Sequence, residues 1–212
     1  MIRKTVFVLF MLAASLPALA HDDQIMVASG TRSVQSAPNN AVMNALVSET
    51  YEYYEIQGRT EQEMRCQMTE NGCTWKDGNK YDSVTSWKFD WNFDHIRTEQ
   101  GCSADAFSAA VAINFRYPRW QRPTDAPQSL IHKWESYIEN LVIHENGHRD
   151  MAVEAAAELN NVVAGLPPAP TCAELDKRIQ MLCSSRIKKL NADAKVYDAT
   201  TGHGVKQGAL FP

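Results

Sequence analysis

The sequence predicts one α+β domain in which antiparallel strands precede two long helices. Two stretches in which apolar residues occupy every second position, Trp87–Phe93 and Val111–Tyr117, are typical of half-buried strands. Two longer stretches, 128–164 and from Cys172 to about Val196, carry apolar residues at steps of three and four, which is the period of a helix. Strands followed by helices, without an internal repeat, favour the α+β class.

The N-terminus has the order of features that is typical of a secretory signal peptide. Two basic residues, Arg3 and Lys4, precede an apolar run over 6–16, and small residues follow up to Ala20. We expect residues 1–20 to be a leader cleaved after Ala20, because the apolar run is too short to cross a bilayer. The protein is then expected to be secreted or periplasmic, with no membrane anchor.

Beyond the leader, residues 21–48 are polar and predict a loose arm, and residues 49–212 form the expected domain. The chain has a formal net charge of −4 and no basic stripe or cluster. This charge pattern argues against nucleic acid as a partner.

The domain is expected to begin with a strand over the aromatic-rich segment 51–56, followed by a short helix at 59–65. Two glycine turn signals between 71 and 78 predict a loop before the next strands. The two alternating strands are expected to pair antiparallel through a loop around Gly101, and Pro118 is expected to end the second of them.

Five cysteines follow the leader: Cys66, Cys73, Cys102, Cys172 and Cys183. In an exported protein disulfides are the expected state of most cysteines, and the lack of a CxxC pair argues against a zinc-finger set. The spacing leaves the pairing open. We favour Cys66–Cys73 as a small clip and Cys102–Cys172 as a long-range staple.

The strongest chemical signal is the HExxH segment His144-Glu145-Asn146-Gly147-His148, inside the longest helical pattern. Residues four apart lie on one helix face, so the two histidines project side by side and can hold one zinc ion. Both continue the apolar stripe, where two unpartnered histidines would be costly. Glu145 is rotated away from the pair, which suits a general base acting on a water at the metal. The alternative is a pair of core histidines held by hydrogen bonds.

A catalytic zinc site ordinarily has a third protein ligand. Glu154 is a weak candidate, because an unbroken helix places it far round from the two histidines and Met151 stands where a helix-ending glycine would be needed. We favour His203, which lies between two glycines in a tail that must then fold back over the helix. The other candidates that could ligate or orient are later side chains: Glu158, Glu174, Tyr197 and Asp198.

Several segments follow one another in a recognisable order: the strand Trp87–Phe93, Gly101-Cys102, Tyr117-Pro118-Arg119-Trp120, Trp134-x-x-Tyr137, the HExxH segment, Cys172-x-x-Leu175 and Tyr197-Asp198-x-x-Thr201-Gly202-His203-Gly204. Over roughly residues 50–212 this order resembles a bacterial family described as predicted secreted zinc-dependent proteases and long treated as a domain of unknown function. HExxH is shared with many zincins, whereas the closing segment is more specific. The resemblance implies that His144 and His148 bind zinc, that Glu145 is the general base and that His203 is a further ligand.

Together these observations predict a compact zincin-like α+β domain over residues 49–212 that works as an exported zinc-dependent peptidase on peptide or protein substrates. Two alternatives remain open. One is a zinc amidase that acts on cell-wall peptides, and the other is a non-catalytic periplasmic metal-binding or interaction module.

Overall fold

A computed structural model describes residues 45–212, so the predicted signal peptide and most of the predicted arm lie outside the described residues. The elements are β1 Leu46–Ile56, α1 Glu61–Asn71, β2 Cys73–Thr74, β3 Lys80–Tyr81, β4 Val84–Thr98, β5 Gly101–Trp120, α2 Gln128–Ala164, α3 Cys172–Thr201 and a 3-10 turn at Val205–Gln207. The predicted α+β class is confirmed. None of the helices within 45–212 is both long and apolar enough to cross a membrane.

The main sheet has three strands in the order β1-β5-β4. β4 and β5 pair antiparallel, with Trp87 opposite Ile113, as predicted. β1 runs parallel to β5, with Tyr51 opposite Phe115, so the sheet is mixed and the prediction of antiparallel strands alone is wrong. A parallel pair needs a long crossover connection, and α1, the small β2-β3 hairpin and β4 supply it between β1 and β5.

Two strand boundaries differ from those predicted. β1 begins at Leu46, so residues 46–48, assigned to the arm, belong to the strand. β5 continues through Pro118 to Trp120 and does not end at the proline. Because β4 begins at Val84, opposite Arg116, the proline lies beyond the end of the β4 ladder and interrupts no bond with that strand.

One face of the sheet packs against α2, and α3 packs on both α2 and β5. Alternate residues of β5 from Phe107 to Tyr117 are buried, and the apolar side chains of β4 are half-buried, as the period of two predicted. α2 buries a stripe that runs from Leu130 through Tyr137 and Leu141 to Val163. This packing brings the middle of α2, residues 144–148, against the start of β4.

α3 runs to Thr201, beyond the predicted end near Val196. Gly202 ends the helix in the left-handed conformation at φ 61°, which glycine adopts without steric cost. No residue between 196 and 201 breaks the helix, so it continues to the first glycine. Tyr197 and Asp198 therefore lie in the last turns of a helix and not in the loose tail to which the sequence pattern assigned them.

The long-range disulfide Cys102–Cys172 is present, with the two Cα atoms 5.1 Å apart. It joins the start of β5 to the start of α3 across a sequence separation of 70. Cys102 also exchanges two backbone hydrogen bonds of 2.8 Å with Ala169. A disulfide of this kind suggests a location outside the cytoplasm.

The predicted clip between Cys66 and Cys73 is wrong, because both cysteines are free. α1 turns Met64 and Met68 into the core, which places Cys66 on its exposed face. Cys73 is buried on β2. The short sequence separation therefore does not bring the two sulfur atoms together.

Replacing both Cys102 and Cys172 by alanine should lower the free energy of unfolding by about 2–4 kcal/mol, because the cross-link restricts the unfolded chain. Urea unfolding followed by circular dichroism measures the difference. Cys66→Ala, on the exposed face of α1, is the control and should change stability by less than about 0.5 kcal/mol. Equal unfolding free energies for the double variant and the parent chain would show that the disulfide does not stabilise the fold.

Candidate metal centre

The HExxH segment lies in the unbroken middle of α2, a helix of 37 residues. His144, Glu145 and His148 are buried, with 3%, 4% and 7% of their surface exposed. The two imidazole ring centroids are 5.0 Å apart, as expected for residues four apart on one face. The predicted placement of both histidines on the buried face is confirmed.

Asp198 of α3 lies between the two histidines. Its Oδ1 is 2.9 Å from His148 Nε2 and 3.3 Å from His144 Nε2. One ligand atom from each of the three side chains falls within 4.8 Å of the others. These three residues, which we call the His-His-Asp cluster, have the donors and the spacing needed to hold a single metal ion.

The chain after α3 folds back over α2 as predicted, and it orients His144. Gln207 Oε1 lies 2.9 Å from His144 Nδ1, while Gln207 Nε2 donates to the Tyr197 hydroxyl at 3.0 Å. That hydroxyl donates to the backbone carbonyl of His144 at 3.3 Å. Because the Gln207 amide turns its oxygen towards His144, the Nδ1 atom of His144 must donate and therefore carries a proton. The Nε2 atom is left to face Asp198.

The Asp198 carboxylate needs positive charge beside it, which a protonated imidazole or a bound cation would supply. A carboxylate only accepts hydrogen bonds, so a neutral His144 protonated at Nδ1 would turn a lone pair towards Asp198. Burial lowers the pKa of His144, but the hydrogen bond with Asp198 and the charge of Glu145 outweigh burial and raise the pKa above its usual value. Burial would raise the pKa of Asp198, but hydrogen bonds from both histidines lower it well below its usual range. A protonated His144 donates to Asp198, and a divalent cation in place of that proton would bind both the carboxylate and the ring lone pair.

The buried ring nitrogen His148 Nδ1 has no hydrogen-bond partner among the side chains and backbone atoms of residues 45–212. The ring lies beside Trp87, with 6.5 Å between the ring centroids. His148 is thus hydrogen-bonded through Nε2 alone, whereas His144 is hydrogen-bonded to Gln207 through Nδ1, on the far side of its ring from Asp198.

His203 lies at the rim of the cluster. Its side chain is 54% exposed, and its Nδ1 is 3.7 Å from Asp198 Oδ1. Its backbone is left-handed at φ 52°, between Gly202 and Gly204, and its ring lies 5.1 Å from that of Tyr81. Asp198, and not His203, stands between the two helix histidines, so a metal-ligand role for His203 stays a prediction.

The remaining carboxylates considered as third ligands lie away from the cluster. Glu154 is exposed on α2. Glu158 forms an ion pair with Arg186. Glu174 lies in the first turn of α3, where its backbone N–H donates to the Thr171 hydroxyl. Asp198 lies near the opposite end of that helix.

The Glu145 carboxylate faces the sheet and is held there by two hydroxyl groups. Thr85 Oγ1 donates to Glu145 Oε2 at 2.5 Å, and Ser83 Oγ donates to Oε1. Both hydroxyl residues are buried where β4 begins. The sequence did not indicate Ser83 or Thr85, because isolated hydroxyl residues in strands are common and carry no spacing signal.

Gly147 lets Tyr197 approach α2 between the two histidines. A Cβ atom at Gly147 would lie 2.2 Å from the Tyr197 hydroxyl oxygen. The Tyr197 ring stacks on His144 with ring centroids 5.0 Å apart and meets His148 edge-on at the same distance. Glycine inside the HExxH segment is therefore a packing requirement of the centre.

The fold and the cluster define an α+β protein in which two buried histidines of α2 meet a partly buried aspartate of α3. The family model described as "Bacterial protein of unknown function (DUF922)" matches residues 51–204, and the chain belongs to this family. The matched range contains the whole cluster together with Ser83, Thr85 and His203. No curated protein and no solved structure shows a significant match.

Gly147→Ala tests the close approach of Tyr197. In an open helix interior this change stabilises a protein by about 1 kcal/mol, but here the new methyl group would clash with Tyr197, so we expect a loss of about 1–3 kcal/mol. Urea unfolding measures it. Gly165→Ala is the control, because a Cβ there has no heavy atom nearer than 3.7 Å. Tyr197→Ala should recover part of the loss, and a more stable Gly147→Ala protein would contradict the packing requirement.

Proposed function

We propose that this protein is an exported zinc-dependent peptidase whose metal is held by His144, His148 and Asp198. The observation that carries the proposal is the convergence of two buried imidazole nitrogens on one carboxylate oxygen, at 2.9 and 3.3 Å. Two imidazoles and one carboxylate form a donor set of catalytic zinc sites, which use three protein ligands and keep a fourth position open. The peptidase part of the proposal rests on the HExxH pattern around these donors.

A zinc ion in this centre would supply a Lewis acid and lower the pKa of water. The chain's own groups prepare the site for it. Gln207 holds His144 in the tautomer that exposes Nε2, and the Tyr197 ring packs against both imidazoles. Glu145 adjoins His144 in sequence, and its charge raises the pKa of that histidine.

Glu145 is the proposed general base. Both of its oxygens accept hydrogen bonds from buried hydroxyl groups, those of Ser83 and Thr85. Each carboxylate oxygen has two lone pairs, so it can accept a hydrogen bond from water beside its hydroxyl partner and then take the proton. The two hydroxyls therefore set the resting position of the base.

The same contacts favour a second function, a metal-binding module without catalysis. A buried carboxylate that accepts hydrogen bonds from two buried hydroxyl groups is suited to anchoring α2 to the start of β4. If His203 joined Asp198 at the ion, four protein ligands would close the coordination sphere, as in structural zinc sites. The two functions thus differ in the role of Glu145 and in the contribution of His203.

The purified protein should carry about one zinc ion per chain. His144→Ala, His148→Ala and Asp198→Asn should each weaken zinc binding by more than the roughly 10–100-fold that is typical of losing an outer partner of a metal ligand. For an open catalytic centre, His203→Ala should weaken binding by less than about tenfold. Competition with a chromophoric chelator measures the affinities. His132→Ala, an exposed histidine of α2, is the control.

Stoichiometric zinc retained in a His144→Ala/His148→Ala protein would exclude this centre as the metal site. A loss in His203→Ala as large as that in Asp198→Asn would identify His203 as a ligand and favour the closed centre of a binding module. Circular dichroism shows whether each variant is folded before its affinity is compared.

Glu145→Gln should lower the rate of peptide hydrolysis by about 10²–10⁴-fold while zinc stays bound, because the amide keeps the shape of the side chain but cannot take a proton. Cleavage of a broad peptide library by zinc-loaded protein, followed by mass spectrometry, is the measurement. Glu139→Gln, on the exposed side of α2, is the matched control. An equally active Glu145→Gln protein would remove Glu145 from the mechanism, and an inactive zinc-loaded parent would favour the binding module.

A further inference from the structure

A second group of metal-binding side chains surrounds the disulfide. His95 of β4 offers a ring nitrogen that lies within 4.8 Å of ligand atoms from Cys102 and Cys172. His95 Nε2 is also 2.8 Å from Asp176 Oδ1. Asp176 follows Cys172 by four residues on α3 and therefore shares its helix face. Two cysteines, a histidine and a carboxylate thus meet at one place.

This group is separate from the His-His-Asp cluster. Thr85, which bonds Glu145, and His95 lie ten residues apart on the same strand, which corresponds to about 33 Å along an extended chain. Cys172 begins α3, whereas Asp198 lies near its end. The group around the disulfide therefore keeps its geometry whether or not the His-His-Asp cluster binds zinc.

The backbone holds Cys102 and Cys172 close together even without the bond between their sulfur atoms. Cys102 and Ala169 exchange two backbone hydrogen bonds of 2.8 Å, and Ala169 lies only three residues before Cys172. Gly101 permits this approach, because a Cβ atom there would lie 2.3 Å from the carbonyl oxygen of Ala169. Breaking the disulfide would leave two thiols side by side in a framework that remains hydrogen-bonded.

We propose that reduction of Cys102–Cys172 converts this place into a second zinc site, with the two thiolates and His95 as ligands. A dithiol reductant transfers two electrons and two protons to the disulfide and becomes a disulfide itself, leaving two cysteine thiols. Zinc then displaces the two thiol protons to form two zinc–thiolate bonds. Thiolate and imidazole are the donors that zinc prefers.

Asp176 is the positioning residue of this site. Because Asp176 bonds His95 Nε2, the metal would take Nδ1, and a carboxylate on the other nitrogen fixes the ring and raises its basicity. Cys172 stands at the first position of α3. The oxidised form is a staple, and the reduced form is a metal centre that zinc stabilises by binding to the folded chain.

The test uses the full-length chain with His144→Ala and His148→Ala, so that the first centre is absent. A water-soluble phosphine reduces the disulfide, taking up oxygen from water and leaving two thiols, and Co²⁺ then serves as the spectroscopic probe. We expect the reduced protein to bind one Co²⁺ with a thiolate-to-cobalt charge-transfer band that zinc abolishes. The oxidised protein should show no such band.

Matched variants identify the ligands. Adding Cys102→Ser and Cys172→Ser should remove the band, whereas serine at Cys66, Cys73 and Cys183 should leave it unchanged. His95→Ala and Asp176→Asn keep the disulfide, so their oxidised forms report on folding. After reduction, His95→Ala should weaken Co²⁺ binding by more than about 100-fold and Asp176→Asn by about 10–100-fold.

Three outcomes would overturn the proposal. One is a reduced, folded protein without the charge-transfer band, and another is a band that survives the loss of Cys102 and Cys172. The third is a chain that unfolds on reduction and that Co²⁺ does not refold, as circular dichroism would show. Refolding by Co²⁺ together with the band would support the proposal.

Discussion

The contact between the last turns of α3 and the middle of α2 is the interaction on which the rest of the site depends. It places a carboxylate between two buried imidazoles, and each of these groups would be costly to bury without a partner. Gly147 makes the contact possible by leaving room for Tyr197, and Tyr197 in turn links Gln207 to His144. The His-His-Asp cluster is therefore the point at which α2, α3 and the C-terminal segment are joined.

Glu145 connects this centre to the sheet. Its side chain leaves the helix face of the histidines and ends between the hydroxyls of Ser83 and Thr85. A buried carboxylate with two donors is stable as it stands, so this contact anchors α2 to the sheet and would be the resting state of the proposed base. The proposed peptidase and the proposed binding module differ in whether water at a bound metal can reach this carboxylate.

The His-His-Asp cluster and the group around the disulfide lie near opposite ends of β4 and offer a metal different donor atoms. The His-His-Asp cluster offers imidazole and carboxylate donors that keep their identity in any redox environment. The group around Cys102 and Cys172 changes with oxidation, because the same two sulfur atoms either bond to each other or become free to bind a metal. The backbone bridge between Cys102 and Ala169 serves both states, since it holds the two chain segments together whether or not the disulfide is present.

The sequence by itself determined the features that arise from local periodicity. The step of three and four residues predicted α2 over 128–164 and placed His144 and His148 on one buried face, and the period of two predicted the antiparallel pairing of β4 with β5. Only the tertiary structure decided the parallel pairing of β1, the free state of Cys66 and the central position of Asp198. The physical reason is that these depend on which distant segments pack together. A side chain such as Ser83 becomes part of the site only when the packing of α2 on the sheet brings Glu145 within hydrogen-bonding distance of it.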